Sequence, residues 1–187
     1  MWVKICGITR YEDACTARDA GADAIGIVLT RSPRKADPAR IEPWIRTFGG
    51  IEKVGVFRDE DPSYIRETAA MLCLDTVQLH TAVNQGHREL ASMFGIICAV
   101  SDLDEALIPE DIPCRMLLDP STGSGRTGDW SRRDRPFILA GGLTPDNVRQ
   151  AILRAQPAGV DVSSGVESSP GIKDEEKVRK FIKEAKS

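Results

Sequence analysis

The stretch FILAGGLTPDNVRQAILRAQPAGVDVSSG, residues 137–165, contains two β-rich runs separated by a helix-like segment. The runs FILA (137–140) and GVDVS (159–163) have the apolar and β-branched composition of buried strands. Between them, apolar residues recur at the spacing of one helix face, at Val148, Ala151, Ile152 and Ala155. The stretch therefore predicts a strand, a crossover helix and a second strand parallel to the first.

The same alternation extends over the whole chain of 187 residues. The other strand candidates are 2–6, 24–28, 53–57, 76–80, 95–100 and 115–119. Eight parallel strands close a barrel, whereas an open doubly wound sheet would hold fewer strands and would favour a GxGxxG turn that this chain lacks after its first strand. Two crossovers, 101–114 and 129–135, are too short or weak for full helices. We therefore predict an α/β fold, a compact (β/α)8 TIM barrel that forms a single domain over residues 1–187.

The composition limits the possible partners and compartment. Asp and Glu number 28 against 25 Lys and Arg, and no basic stripe is interleaved with aromatic residues, so we expect no nucleic-acid partner. The five cysteines are scattered singly, which is typical of a reduced cytoplasmic protein. No leader-like or membrane-length apolar run occurs, and we expect no membrane partner.

The loops that follow the strands of a parallel barrel form the face where active sites occur. Glycine-rich turns follow the last two predicted strands, and glycine lets backbone N–H groups approach a phosphate closely. Such glycines could instead only make tight turns, but two turns of this kind at neighbouring strands favour a phosphate site. The residues predicted to form it are Gly141, Gly142, Ser163, Ser164 and Gly165.

Other polar residues end or follow strands on the same face. Cys6 could fill the barrel as a buried thiol or act as a catalytic group, and Asp119 could make a turn or act as an acid. Arg34 is either a solvated cation or a clamp for a carboxylate. His80 could equally be a hydrogen-bonded barrel residue.

Taken together, several motifs in this order resemble the phosphoribosylanthranilate isomerase family, whose members are (β/α)8 enzymes of tryptophan biosynthesis. The motifs are KICGIT (4–9), GADAIGIV (21–28), SPR (32–34), VGVF (54–57), QLH (78–80), LLD (117–119), GSGRTGDW (123–130), LAGGLTPDNV (139–148) and GVDVSSGVESSPGIKD (159–174).

The resemblance implies an Amadori rearrangement of N-(5-phosphoribosyl)anthranilate to 1-(2-carboxyphenylamino)-1-deoxyribulose 5-phosphate, with no cofactor and no metal. It assigns the general acid to Asp119 and the general base to Cys6. It places Arg34 on the anthranilate carboxylate, and His80 and Asp161 on the substrate. Gly123 and Gly125, in the loop after strand 6, would join the phosphate-binding residues and close over the substrate. The implied partner is this small-molecule substrate, and the chain would be a monomer or a homodimer.

Two alternatives stay open from the sequence. One is the related aminoaldose–ketose isomerase of histidine biosynthesis, which resembles two half-barrels with a second phosphate turn and has aspartate rather than cysteine on strand 1. The other is a non-catalytic barrel that only binds a sugar phosphate. The presence of both Cys6 and Asp119 argues against the second alternative, because a silent barrel needs neither residue.

Overall fold

In the computed structural model, which describes residues 1–81, 85–101, 112–119 and 130–187, eight parallel strands form a closed barrel in chain order. The strands are β1 (Trp2–Cys6), β2 (Ala24–Val28), β3 (Glu52–Phe57), β4 (Thr76–Leu79), β5 (Gly95–Val100), β6 (Arg115–Leu118), β7 (Phe137–Leu139) and β8 (Gly159–Val162). The barrel closes where β1 pairs with both β2 and β8, with Cys6 opposite Gly26 and Lys4 opposite Asp161. The predicted (β/α)8 barrel is confirmed.

Helices connect most of the strands on the outside of the barrel. They are α1 (Tyr11–Asp19), α2 (Pro38–Ile45), α3 (Pro62–Met71), α4 (Arg88–Met93), α5 (Val148–Ala155) and α6 (Glu175–Lys186), with single 3₁₀ turns at Gln85–His87 and Ser164–Val166. Between β6 and β7, the described residues 130–136 contain no helix, in agreement with the short crossover predicted there. In the described part of the chain, no helix has the length and apolar character that a membrane span requires.

The strand boundaries place polar residues at the mouth of the barrel. Several strands end one residue before their predicted limit, so that His80, Asp119 and Ser163 lie just beyond the ordered ladder. Each of these side chains is therefore carried on the rim, at the carboxyl end of a buried strand. That is the face on which barrel enzymes build their active sites.

The hydrophobic core has two layers. The larger layer lies between the strands and the surrounding helices, and α6 contributes Phe181 and Ile182 from its predicted apolar stripe. The smaller layer lies inside the barrel and is formed by residues of β2, β3, β5, β6 and β7 and by the residue after β7, namely Ala24, Val54, Ile97, Leu117, Ile138 and Ala140. Because the barrel interior is packed in this way, the described residues leave space for a ligand at its mouth.

A two-stranded hairpin between β8 and α6 was not predicted from the sequence. Its antiparallel strands are β9 (Glu167–Ser169) and β10 (Ile172–Lys173). The hairpin rests on the segment that follows β1, because the hydroxyl of Thr9 donates to the carbonyl of Gly171 at 2.6 Å and the backbone N–H of Lys173 donates to Asp13 at 3.1 Å. These contacts fix the hairpin beside the barrel mouth.

Candidate active site

A cavity of about 530 Å³ opens at the carboxyl ends of the strands. The sequence-predicted residues that line it are Cys6, Arg34, His80, Asp119, Gly141, Gly142, Asp161, Ser163 and Ser164. Gly123 and Gly125 lie outside the described residues. The predicted acid, base, cation and phosphate turns thus border one cavity, although they come from distant parts of the chain.

Cys6 is the last residue of β1 and lies at the floor of the cavity, 7 % exposed. Its sulfur occupies space that a side chain at position 26 would fill, since a Cβ on Gly26 would lie 2.7 Å from the sulfur. Burial raises the pKa of the thiol, and the positive charges of Lys4 and Lys173 act in the opposite direction. The thiol therefore depends on its charged neighbours to become a thiolate.

Gly7 directly follows Cys6, and its lack of a side chain leaves room for the side chains of neighbouring segments. A Cβ at this position would lie 2.9 Å from Cδ of Arg34, 3.0 Å from Oγ of Ser163 and 3.4 Å from Nζ of Lys173. The φ angle of +79° is also one that favours glycine. Gly7 therefore allows parts of three different loops to converge beside Cys6.

Asp119 follows β6 directly and is half-buried at the cavity wall. Its backbone N–H donates to the carbonyl of Val100 at 2.9 Å, so the main chain at this residue is still tied to β5. The carboxyl group is therefore carried on a fixed backbone at the rim of the cavity.

Arg34 reaches the cavity from the loop after β2, but its guanidinium is also bound to an acid. Its Nε donates to Glu167 at 2.8 Å, and its Nη2 donates to the other carboxylate oxygen at 2.8 Å. Lys173 donates to the same carboxylate at 3.0 Å and to the carbonyl of Ser163 at 3.2 Å. Two hydrogen bonds in parallel fix the plane of the guanidinium, which leaves its other N–H groups for a ligand.

His80 is neutral near physiological pH. Burial lowers its pKa to about 4, and the charges of Lys4 and Arg58 act in the same direction. Its Nε2 lies 2.9 Å from Nε2 of Gln78, whose side-chain oxygen accepts from Lys4 at 2.9 Å. Because the amide nitrogen can only donate, the hydrogen-bond network assigns the ring proton to Nδ1. His80 can thus serve as a neutral hydrogen-bonding group and not as a cation.

Asp161, on β8, lines the cavity but pairs with an interior lysine. Its Oδ1 lies 2.8 Å from Nζ of Lys4, and Asp161 is 8 % exposed. Burial raises the pKa of Asp161, while the adjacent ammonium group favours the carboxylate. Burial opposes the charge on Lys4 and is the largest single effect, but the attractions of Asp161 and Cys6 together outweigh it, and the net pKa of Lys4 is raised. We conclude that the two side chains form a buried ion pair.

The turns after β7 and β8 form the side of the cavity predicted to bind phosphate. Gly141 and Gly142 have φ angles of 84° and 66°, which explains the glycine pair. The side chain of Asn147 holds this turn by donating to the carbonyl of Gly142 at 2.9 Å. Ser163 and Ser164 line the cavity on the adjacent turn.

Gly165 was predicted to contact phosphate, but it does not line the cavity. A Cβ on Gly165 would lie 1.9 Å from the carbonyl oxygen of Leu143, so the two turns touch each other at this glycine. The absence of a side chain at Gly165 thus lets the turns after β7 and β8 pack against each other.

Three residues important to this site were missed from the sequence, namely Lys4, Glu167 and Lys173. Lys4 could have been recognised from the sequence, because a lysine interrupts the otherwise apolar run of the first strand. Within the described ranges, no group of His, Cys, Asp and Glu residues is arranged to hold a metal ion.

The closed parallel barrel, with an acid, a buried thiol and two glycine-containing turns at its mouth, defines an enzyme of the sugar-phosphate-binding (β/α)8 class. Residues 3–184 match the family model described as N-(5'-phosphoribosyl)anthranilate (PRA) isomerase. The chain therefore belongs to the phosphoribosylanthranilate isomerase family.

Relatives and solved structures agree with this family. The N-(5'-phosphoribosyl)anthranilate isomerase of Thermotoga petrophila is 42 % identical over 204 residues, covering 98 % of each chain. The crystal structure of the Thermotoga maritima enzyme has a TM-score of 0.90 at 40 % identity and covers 100 % of this chain and 98 % of its own. A phosphoribosyl anthranilate isomerase in complex with reduced 1-(o-carboxyphenylamino)-1-deoxyribulose 5-phosphate has a TM-score of 0.87 at 38 % identity, with the same coverage. A structure of monomers generated from the dimeric Thermotoga maritima enzyme has a TM-score of 0.88 at 38 % identity, again with the same coverage.

Proposed function

We propose that this chain, an N-(5'-phosphoribosyl)anthranilate isomerase of tryptophan biosynthesis, performs its reaction with Cys6 as general base and Asp119 as general acid. The observation that carries this assignment is that the thiol and the carboxyl group border the same cavity as the two phosphate turns. A substrate fixed by its phosphate beside β7 and β8 would extend its sugar over the ends of β1 and β6.

The acid would act first. Asp119 would donate its proton to the ring oxygen of the furanose, and the bond between that oxygen and C1 would break. As this bond breaks, the lone pair of the anthranilate nitrogen forms a double bond to C1. The product is a ring-opened imine with a positive charge at nitrogen. That charge acidifies the proton on C2, so a base of moderate strength is sufficient.

The base would act next. The thiolate of Cys6 would remove the proton from C2, and the electron pair left behind would neutralise the imine to give an enolamine. This enolamine becomes the ketone when C1 gains a proton and the hydroxyl at C2 loses one. These last two protons would exchange with solvent, and Cys6 would then release a proton while Asp119 regains one, so atoms and charge balance over the cycle.

The substrate's two anionic ends would bind on opposite sides of Cys6. The phosphate would lie against Gly141, Gly142, Ser163 and Ser164. The carboxylate of the anthranilate ring would accept from the N–H groups of Arg34 that do not bind Glu167. His80 would contribute a neutral hydrogen bond to the sugar, since its pKa of about 4 keeps it uncharged.

The assignment of roles is tested by single substitutions in a fluorescence assay of the anthranilate group. We expect Cys6→Ala and Asp119→Asn each to lower kcat by about 100-fold or more, since general acid–base groups contribute this much. Binding of the reduced product analogue should stay close to that of wild type, because neither substitution removes a group assigned to the phosphate or to the ring carboxylate. Cys73→Ala and Asp146→Ala, which change exposed residues outside the cavity, are the matched controls and should keep full activity.

Two outcomes would contradict the proposal. Substantial activity in Cys6→Ala would mean that another group removes the C2 proton. Binding of the analogue without turnover by the wild-type chain would favour the non-catalytic barrel. We further propose a cytoplasmic location, and the sequence prediction of a monomer or a homodimer stays a prediction.

A further inference from the structure

Lys4 occupies a position where a lysine is costly. Its side chain is fully buried, and it extends from β1 into the barrel interior, because it contacts Gln78 on β4 and Asp161 on β8. An ammonium group without water around it requires compensation from close partners. Lys4 has two, a carboxylate oxygen at 2.8 Å and an amide oxygen at 2.9 Å. The proposed mechanism gives this group no role, and Lys4 does not line the cavity.

Lys4 lies directly beneath the proposed base. Lys4 and Cys6 are two residues apart on β1, so their side chains point to the same face of the strand. Both pack over Gly26 of β2, since a Cβ there would lie 2.7 Å from the sulfur of Cys6 and 3.0 Å from Cε of Lys4. The missing side chain of Gly26 is thus what lets the lysine and the thiol lie next to each other.

The thiol needs a compensating charge at this point. Cys6 is buried, and burial disfavours its ionised form. Among the charged groups that surround it, Lys4 acts most strongly in favour of the thiolate, Asp161 on β8 acts against it, and Lys173 on β10 acts in favour of it. Arg34, from the loop after β2, is a further cation that interacts with Cys6. Lys173 and Arg34 share the negative charge of Glu167, so their own effect on the thiol is reduced.

We propose that Lys4 is a positioning residue for the reaction: its ammonium group, held in place by Asp161 and Gln78, stabilises the negative charge that Cys6 must carry to act as a base. The thiol releases its proton to solvent, the thiolate forms beside the ammonium group, and it then accepts the C2 proton of the substrate. The inference rests on the proposed role of Cys6. It assigns the ion pair between Lys4 and Asp161 to the chemistry rather than only to stability.

The direct test is the reactivity of Cys6 itself as a function of pH. Iodoacetamide reacts with thiolates, and peptide mass spectrometry separates Cys6 from the other four cysteines of the chain. We expect Lys4→Met to move the midpoint of the Cys6 profile upward by about 1 to 3 pH units, the effect of losing a nearby opposite charge. The matched control is Lys53→Met, which removes another buried lysine whose Nζ donates to the carbonyl of Ile45 outside the site. The control should keep the wild-type midpoint.

Steady-state kinetics give a second readout. In Lys4→Met, the limb of the kcat/KM profile that rises with pH should move in the same direction and by the same amount as the alkylation midpoint. The Kd for the reduced product analogue should stay close to wild type, because Lys4 is outside the cavity lining. A purely structural lysine would change neither pH profile.

Lys4→Met leaves Asp161 buried without its partner, which can prevent folding. The double variant Lys4→Met/Asp161→Asn removes both charges and provides a second route to the same measurement. Its midpoint should still exceed that of wild type, by a smaller shift, because Lys4 acts on Cys6 more strongly than Asp161 does. A wild-type midpoint in either folded variant overturns the proposal.

The outcomes separate this inference from the proposed function. If Cys6→Ala keeps its activity while the Lys4→Met midpoint shifts, Lys4 controls the thiol but the thiol is not the base. If Cys6→Ala is inactive and the Lys4→Met midpoint does not shift, the base is correct and the role of Lys4 is wrong.

Discussion

Glu167 determines how Arg34 faces the cavity. Its carboxylate, 5 % exposed, receives both hydrogen bonds of the guanidinium and a further one from Lys173. The backbone N–H of Gly171 donates to the same group at 3.1 Å. Although burial acts to raise the pKa of Glu167, these donors outweigh it and the pKa is lowered, so the group is a carboxylate at neutral pH. Glu167 lies within the motif GVDVSSGVESSPGIKD (159–174), but nothing in the sequence indicated that it pairs with Arg34.

Glu167→Gln tests this orientation at the scale of one residue. The amide keeps an acceptor for Gly171 but can no longer receive both N–H groups of Arg34. We expect binding of the reduced product analogue to weaken by about tenfold, as charge-assisted hydrogen bonds contribute about 1.5 to 3 kcal/mol. The measurement is the Kd of the analogue by calorimetry, together with that of a second analogue that lacks the ring carboxylate.

The analogue without the carboxylate should bind wild type and Glu167→Gln equally well. The control is Glu175→Gln, which weakens an exposed ion pair on α6, where Nε and Nη2 of Arg179 both donate to one oxygen of Glu175. A weaker Kd for both analogues would mean that Glu167 supports the site as a whole and not Arg34 in particular.

At the scale of elements, the turns after β7 and β8 are one unit because they meet at Gly165. The carbonyl of Leu143 lies where a Cβ on Gly165 would be, at 1.9 Å, and backbone atoms cannot rotate away as a side chain could. The two turns would therefore have to move apart to accommodate a side chain at position 165. Such a movement would displace Ser163 and Ser164 from the positions in which they line the cavity.

We expect Gly165→Ala to weaken binding of the reduced product analogue by about tenfold or more, with a similar loss for inorganic phosphate, since about 1.4 kcal/mol of lost contact is a factor of ten. The control is Gly49→Ala, where a Cβ meets no atom within 4 Å. Isothermal titration of both ligands against both variants is the measurement. Unchanged phosphate affinity in Gly165→Ala would show that these turns do not hold the phosphate.

The strands were predictable from the sequence, whereas the contacts between distant elements were not. Local composition marked β1, β2 and β5 to the residue, because each is a short run rich in apolar and β-branched residues. The pairing of Lys4 with Asp161 depends on the closure of β1 against β8, and no local pattern encodes it. The β9–β10 hairpin was missed for a related reason, since its strands are very short and are held by contacts with Thr9 and Asp13 far away in the chain.

For the molecule as a whole, stability and catalysis occupy different regions of the barrel. The helix-side layer of the core, with Phe181 of α6 fully buried, lies outside the strands, whereas the proposed reacting groups lie at their carboxyl ends. Large apolar side chains in such a layer contribute to stability through burial and close packing. A change there should alter the free energy of unfolding and leave the cavity unchanged.

We expect Phe181→Ala to lower the free energy of unfolding by about 3 to 5 kcal/mol, through lost burial and the cavity that remains. Below its new melting temperature the variant should keep the wild-type kcat. Denaturant unfolding with a parallel activity assay measures both quantities. Leu153→Ala on α5, where the leucine is 71 % exposed, is the matched control and should change stability by less than about 0.5 kcal/mol. A large loss of kcat in folded Phe181→Ala would contradict this separation.

The hairpin that carries Glu167 and Lys173 also has a thermodynamic consequence for substrate recognition. An arginine side chain has about 2 kcal/mol of rotamer entropy, and folding has already removed much of it from Arg34 through its bidentate contact with Glu167. With Arg34 in its proposed role, the anthranilate end of the substrate would meet a preorganised partner, and binding there would cost little further ordering. The same rigidity would make this end of the site selective for the length of the substrate. A fixed guanidinium cannot follow a carboxylate that lies nearer to or farther from the sugar.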